Sequence, residues 1–425
     1  MFYPEKDKKY VRIRKNHRNY QEEMHNRRRI HVFLMVLLCL VLLGGGIYFQ
    51  IPKHAINLAG ICYTTMTGMV KKHGSPSPSK KTSGASNTEK KDRTSGNSSQ
   101  KKKVKKDAVN ESEDKTATLL FTGDVELSTY VQSNFDASGI AGVVSPQMQK
   151  VLRDADICAV NNEFAFSDRG TPADKQYTFR VAPSYVTIYE QLGIDVAGLA
   201  NNHSLDYGQD ALLDTIRVLS DAGIDNTGAG NSMDEAAKLI VKEVAGKRFG
   251  FLACSRVIPY ANWDVRNAQP GLFTCYDPAE LIERTKAAKE QCDYLFVMIH
   301  WGVESTTRLE GYQSQIGHAV IDAGADAVIG SHPHVLQGIE YYSGKPIFYS
   351  LGNFIFNQSI DQTAVVLVTQ KDNGINYTLM PAYASGATTH LALENEDQKA
   401  EAVLNVLREL SPNVAIGEDG LMTER

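Results

Sequence analysis

An α/β fold, with two packed sheets beneath outer helices and one N-terminal membrane segment, is predicted from three features of the sequence. Short apolar runs alternate with helical stretches early in the body, strands pair as hairpins late in it, and an uncharged stretch follows a basic start. Alternation calls for parallel strands joined by helices, whereas hairpins add antiparallel strands. The mixture fits two sheets packed together with helices outside.

The membrane segment comes first. Val32 to Phe49 runs 18 residues without a charge, close to the roughly 20 needed to cross a bilayer. Residues 1–30 ahead of it hold ten Lys/Arg, including Arg27-Arg28-Arg29, against four acids. The positive-inside bias keeps that end cytoplasmic and sends the body outside, as a single-pass protein of the cell membrane. A cleaved signal peptide is the alternative, but the run exceeds an ordinary h-region and no small-x-small site follows. Leu58-Ala59-Gly60-Ile61-Cys62 would be a lipoprotein box but for Ile61. The expected layout is a basic tail (1–30), a signal anchor (31–51), a basic linker (52–116), a folded domain (117–392) and an acidic C-terminal extension (393–425). Residues 71–116 are too poor in apolar side chains to offset their ordering entropy, so they read as a flexible tether.

Charge divides the chain in the same way. The net value of −4 conceals +16 over residues 1–107 and −20 over residues 108–425. A phosphate backbone needs a basic footprint, so an acidic body excludes nucleic acid as partner. The six cysteines are Cys39, Cys62, Cys158, Cys254, Cys275 and Cys292, with no CxxC pair. Zinc-ribbon and thioredoxin chemistry are thereby excluded. Buried free thiols are favoured over a Cys254–Cys275 or Cys275–Cys292 disulfide.

The body begins near Thr116. Thr118–Phe121, Ile157–Val160, Val196–Ala200, Leu295–Ile299 and Ala327–Ile329 read as buried strands. Ser145–Asp154 reads as a short helix. Gly208–Ala222 is a helix with Leu212, Ile216 and Leu219 on one face, stopped at Gly223. Leu239–Val244 and Phe249–Cys254 flank Ala245-Gly246-Lys247 as a hairpin, and Tyr312–Ala323 is a helix leading into the strand before Ser331. Pro346–Leu351, Ala364–Gln370 and Ile375–Pro381 are further strands, the last two joined across residues 371–374. Gln398–Leu410 is an amphipathic helix.

A polar motif follows each of the five apolar runs: Gly123-Asp124-Val125-Glu126, Asn162-Glu163, Asn201-Asn202-His203, His300-Trp301-Gly302 and Ser331-His332-Pro333-His334. Ligands gather beyond the carboxyl ends of strands in α/β sheets. Carboxylates, imidazoles and an amide at such positions suit a pair of divalent metals. Asp124 and Glu163 offer carboxylates, Asn202 an amide oxygen, and His300, His332 and His334 imidazoles. His203 faces substrate as proton donor, with Asp206 fixing its tautomer. Pro333 is expected to keep His332 extended, so that both rings of the His332–His334 pair point one way. Any one of these residues alone would read as a cap, turn or surface group; five motifs at five strand ends would not.

The order of Gly-Asp-x-x-Leu, Asn-Glu, Ala-Asn-Asn-His-x-x-Asp, His-Trp-Gly, Gly-Ser-His-Pro-His and Ser-Leu-Gly-Asn-Phe-Ile-Phe, over about residues 117–390, resembles the CapA family of poly-γ-glutamate capsule proteins. That family looks like a branch of the calcineurin-like metallophosphoesterases. The resemblance implies a four-layer α-β-β-α sandwich and a dinuclear site at Asp124, Glu163, Asn202, His300, His332 and His334, where imidazole ligands suit Mn²⁺, Fe²⁺ or Zn²⁺. Two positions depart from the phosphoesterase pattern: Glu126 stands where it has a histidine, and Glu163 where it has an aspartate. Glu126, Arg180, Glu304 and Asn353 are candidates to contact substrate or support a ligand, while Trp301 reads as packing beneath the site. The implied roles are an ectoenzyme that cleaves a phosphoester or a polymer-end amide or ester with metal-activated water, or a non-catalytic assembly or export factor. Its implied partners are the membrane, poly-γ-glutamate or another anionic polymer, and capsule-synthase subunits.

Overall fold

A computed structural model describes residues 116–372, 374–392 and 397–425. The expected tail, anchor and linker lie outside these residues, as do Cys39 and Cys62. Among the described residues no helix is long and apolar enough to cross a membrane.

The described residues form mixed α/β layers. The strands of the two large sheets are β1 (Thr116–Val125), β2 (Ile157–Asn162), β3 (Val196–Gly198), β4 (Asp225–Thr227), β5 (Ile240–Val244), β6 (Lys247–Ser255) and β7 (Tyr294–His300). They continue with β8 (Ala327–Ser331), β9 (Ile339–Tyr342), β10 (Lys345–Phe348), β11 (Asn353–Ile355), β12 (Ser359–Lys371), β13 (Gly374–Ser385) and β14 (Thr388–Leu391). One sheet has the order β14-β13-β12-β1-β2-β3-β4, with β11 also on β1; the other has the order β9-β10-β8-β7-β6-β5. The centres of both are parallel: β1 with β2, β2 with β3, β6 with β7 and β7 with β8. Their carboxyl ends therefore lie along one edge of each sheet, and those ends carry the polar motifs.

Period-2 alternation builds the layers. Leu119 and Phe121 of β1 meet Phe251, Phe296, Met298 and Ile329 in a core between the sheets. Leu120, Cys158, Val160 and Ala197 point the other way, onto α2 (Pro146–Asp154), α3 (Val186–Leu192) and α4 (Gln209–Asp221), which follow α1 (Thr129–Ser138). On the far side Leu295, Val297, Ile299 and Val328 meet α5 (Ala279–Lys289) and α6 (Gly311–Asp322). Helices therefore cover both outer faces of two sheets packed face to face.

Local chemistry sets most of the boundaries. Ser145 caps α2, its hydroxyl accepting from Met148 N at 3.3 Å. The hairpin between β5 and β6 is tighter than expected, because Ala245 and Gly246 both take positive φ and Lys247 already pairs with Val244. The strand expected over 346–351 stops at Phe348. Helices α1, α3 and α5 were not foreseen: α1 buries only Val131 and α5 only Leu281, Thr285 and Ala288, so the apolar stripes of these two are thin, while α3 is only 7 residues long. Cys158, Cys254, Cys275 and Cys292 are buried free thiols.

The acidic extension belongs to the core. Val403, Leu404 and Leu407 of α7 (Asp397–Leu410), with Val414, Ile416 and Met422, join the inter-sheet cluster. Ile339 N donates to Ser411 Oγ at 2.8 Å and Leu379 N to Gly420 O at 2.9 Å. Leu407→Ala should cost ~2–5 kcal/mol, as a fully buried leucine truncation does. The readout is the urea-unfolding midpoint of the purified protein; an unchanged midpoint would show the extension to be an accessory.

Candidate metal centre

Five strand ends meet at one place. Asp124 is next to last in β1 and is held there by a close approach: its N donates to Gly352 O at 2.9 Å, and a Cβ on Gly123 would stand 2.0 Å from that same oxygen. Only glycine fits. Asp124 Oδ1 accepts from Asn161 Nδ2 at 2.9 Å and Oδ2 from His332 N at 3.2 Å. Glu163, directly after β2, is fully buried. Its Oε1 lies 3.6 Å from His300 Nε2 and 3.8 Å from His334 Nε2. His300 ends β7, with Nε2 2.7 Å from Asn202 Oδ1 and Nδ1 3.0 Å from Ser331 Oγ. The His300 and His332 rings are 4.7 Å apart, and the His332 and His334 rings 5.9 Å.

The two histidines of the last motif converge, but not through an extended chain. His332 has φ +98° and His334 φ +59°. The expectation drawn from Pro333 is corrected here: proline disfavours the right-handed helical region at the preceding residue without requiring a negative φ. Positive φ at a non-glycine residue costs roughly 1–3 kcal/mol and concentrates at functional sites.

The donor set fits divalent cations. Both carboxylate oxygens of Glu163 and Nδ1 of His332 are buried without a hydrogen-bond partner. Three overlapping sets have ligand atoms within 4.8 Å of one another: Glu163–His300–His332, Asp124–Glu163–His334 and Glu304–His332–His334. Burial, then the neighbouring Asp124, pushes the Glu163 carboxyl well above its ordinary range. Burial lowers His300 strongly and His332 to about 3, with the other imidazoles adding to both shifts. For His334 burial also acts downward, but Glu163, Asp124 and Asn353 outweigh it and carry the group to about 10. A cation would relieve these opposed costs together.

His203 sits beside the cluster. Its Nδ1 is 2.7 Å from Asp206 Oδ2, and its ring stacks on Phe179 with centroids 4.3 Å apart. Lys175 Nζ reaches Asp206 Oδ1 at 2.6 Å, Asn202 O at 2.5 Å and His203 Nδ1 at 3.2 Å. Burial lowers the pKa of His203 and also that of Lys175.

A cleft of about 450 Å³ opens against these groups, lined by Glu126, Tyr177, Phe179, His203, Glu304, His334 and Phe356 among others. Glu126 lines it but enters none of the three ligand sets, and burial raises its carboxyl to about 8. Asn353 supports a ligand: its Oδ1 is 2.8 Å from His334 Nδ1, and β11 sets it opposite Asp124. Arg180 is not brought to the cleft. It leaves a two-residue strand on the side opposite buried Val181, donates to Arg169 O at 2.9 Å and covers the Tyr207 ring. Trp301 is fully buried and donates to Tyr349 O at 2.9 Å, as packing beneath the site.

Sequence reasoning missed three contributors. Asn161 bonds Asp124 and accepts from Asn201 Nδ2 at 3.2 Å, while its neighbour Asn162 turns away to Tyr189. Ser331 bears on His300, and Lys175 on the His203 pair. Asn161 could have been found by strand alternation from buried Val160 and Asn162; Lys175 lies in a polar loop with no periodicity to mark it.

The sequence profile described as "Bacterial capsule synthesis protein PGA_cap" matches residues 118–358. PGA biosynthesis protein CapA of Bacillus subtilis (strain 168) is 30% identical over 316 residues, covering 73% of this chain and 82% of that protein. Capsule biosynthesis protein CapA of Bacillus anthracis is 30% identical over 277 residues, covering 63% and 67%. A solved structure of a hypothetical protein from Thermus thermophilus is a distant likeness, with TM-score 0.40 and 16% identity over 62% of this chain and 99% of that one. With a profile spanning more than half of its length and a relative matched along most of its own, the chain belongs to the bacterial capsule synthesis protein PGA_cap family, among the CapA-family poly-γ-glutamate capsule proteins.

Proposed function

We propose that this CapA-type protein is a membrane-anchored, outward-facing, metal-dependent hydrolase of metallophosphoesterase type, acting in the synthesis, export or attachment of poly-γ-glutamate. The observation that carries the reading is Glu163, a buried carboxylate with neither oxygen hydrogen-bonded and three imidazoles around it. Asp124, Glu163, Asn202, His300, His332 and His334 would hold the ions. Divalent cations here would supply Lewis-acid polarisation and water made acidic near neutral pH.

The chain's own residues do the remainder. A carboxylate only accepts, so Asp206 places the proton of neutral His203 on Nδ1 and leaves Nε2 to exchange one with substrate. Lys175 holds Asp206 from the other side, and Phe179 fixes the plane of the ring. An anionic group entering the cleft would raise the lowered pKa of His203, so that Nε2 carries the proton a leaving group needs. The anchoring and the orientation are supported by Val32–Phe49 and the basic residues before it.

Metal content and turnover of a chromogenic phosphodiester and of poly-γ-glutamate by the full-length protein test this reading. His203→Ala should lower kcat by roughly 10²–10⁴-fold with metal content unchanged. An unaltered kcat would remove His203 from the chemistry. Tight metal binding without turnover on either substrate would assign the assembly-factor role instead.

Metal uptake at pH 7 should release protons, since His334 of the ion-free site stays protonated up to about 10 and must lose its proton to ligate. Affinity should therefore rise with pH through the range below that value. Calorimetry in buffers of different ionisation enthalpy reads the release, and zero proton release would contradict it. In cells, His332→Ala should abolish capsule at normal protein level. Capsule that persists would leave the fold, not the metal centre, as the requirement.

A further inference from the structure

The three ligand sets are not equivalent. Two of them contain Glu163, one wholly buried with His300 and His332 and one with Asp124 and half-buried His334; the third, Glu304–His332–His334, lacks Glu163 and opens on the cleft. Glu126 lines the same cleft two residues after Asp124, yet belongs to none of the sets.

Glu304 is exposed, and among the described residues its carboxylate makes no hydrogen bond or ion pair. Its backbone is fixed nonetheless. Gly302 N and O are 3.0 and 3.1 Å from Tyr312 Oη, and Ser305 N donates to Pro333 O at 2.9 Å. That last bond ties the loop carrying Glu304 to the turn carrying His332 and His334. Across from Glu304, His332 is 4% exposed and its Nδ1 has no partner. His334 gives Nδ1 to Asn353 and keeps Nε2 to ligate.

Resting on the metal-centre reading above, we propose that Glu304 is a direct ligand of a cleft-side divalent cation, held with His332 and His334 and separate from the inner position that Glu163 shares with His300. The inner ion has only buried ligands. The cleft-side ion has one ligand from a solvent-exposed loop, so it is the weaker and faster to exchange.

Titration of the metal-stripped full-length protein with Mn²⁺, with free ion followed by electron paramagnetic resonance, tests this without any activity assay. The wild type should show a tight and a weak class of site. Glu304→Gln should weaken the second class by roughly tenfold or more and leave the first unchanged; Glu304→Asp should fall between. Glu163→Gln should lose the tight class. A Glu304→Gln titration that overlays the wild type overturns the proposal. So does loss of both classes in that variant with its unfolding temperature in chelator unchanged. A wild type that takes up no Mn²⁺ refutes the metal centre itself, a failure visible before any variant is made.

Discussion

A buried carboxylate with nothing to bond is the constraint around which this domain is organised. Removing an ion such as that of Glu163 from water costs several kcal/mol unless a partner compensates. Hydrogen-bond donors are conspicuously withheld from it: Asn161 spends its amide on Asp124, and Asn201 spends its own on Asn161 and the Asn162 carbonyl. The neighbouring imidazoles have been made harder to protonate, apart from His334. An environment that makes the ionised acid costly and offers it no hydrogen-bond donor is one that a metal cation would suit.

The two sheets divide that task. The first, through β1, β2 and the turn after β3, contributes oxygen: Asp124, Glu163 and Asn202. The second, through β7 and the turn after β8, contributes nitrogen: His300, His332 and His334. Neither sheet could assemble the set alone, so the apolar core between them acts as the spacer that sets how far oxygen and nitrogen donors stand apart. Phe121, lying 4.9 Å from Phe296 between ring centroids, is central to that spacer.

Much of this could be read in the sequence, because buried strands announce themselves as short apolar runs and their polar successors fall where parallel strands end. Asp124, Glu163, Asn202, His300 and both late histidines were visible for that reason. What escaped depends on the third dimension. Lys175 reaches Asp206 from a loop without pattern, and Ser331 reads as mere punctuation until His300 is seen beside it. Arg180 is a candidate for substrate contact in the sequence, but its reach is taken up by Arg169 and Tyr207. The His332 and His334 rings were expected together and are together, although the backbone gets them there by left-handed turns rather than by extension. Thin apolar stripes on α1 and α5 gave helical periodicity too little to register.

The packing of α7 on β12 and β13, and of the hairpin after it on β13 and β9, bears on how the domain comes into being. Strands β12 and β13 carry apolar side chains whose covering is encoded after them, between Val403 and Met422. Until that stretch has emerged, this flank of β12 and β13 stays bare. A message cut short there would yield a protein with every candidate ligand present and an oily flank open to proteases and chaperones.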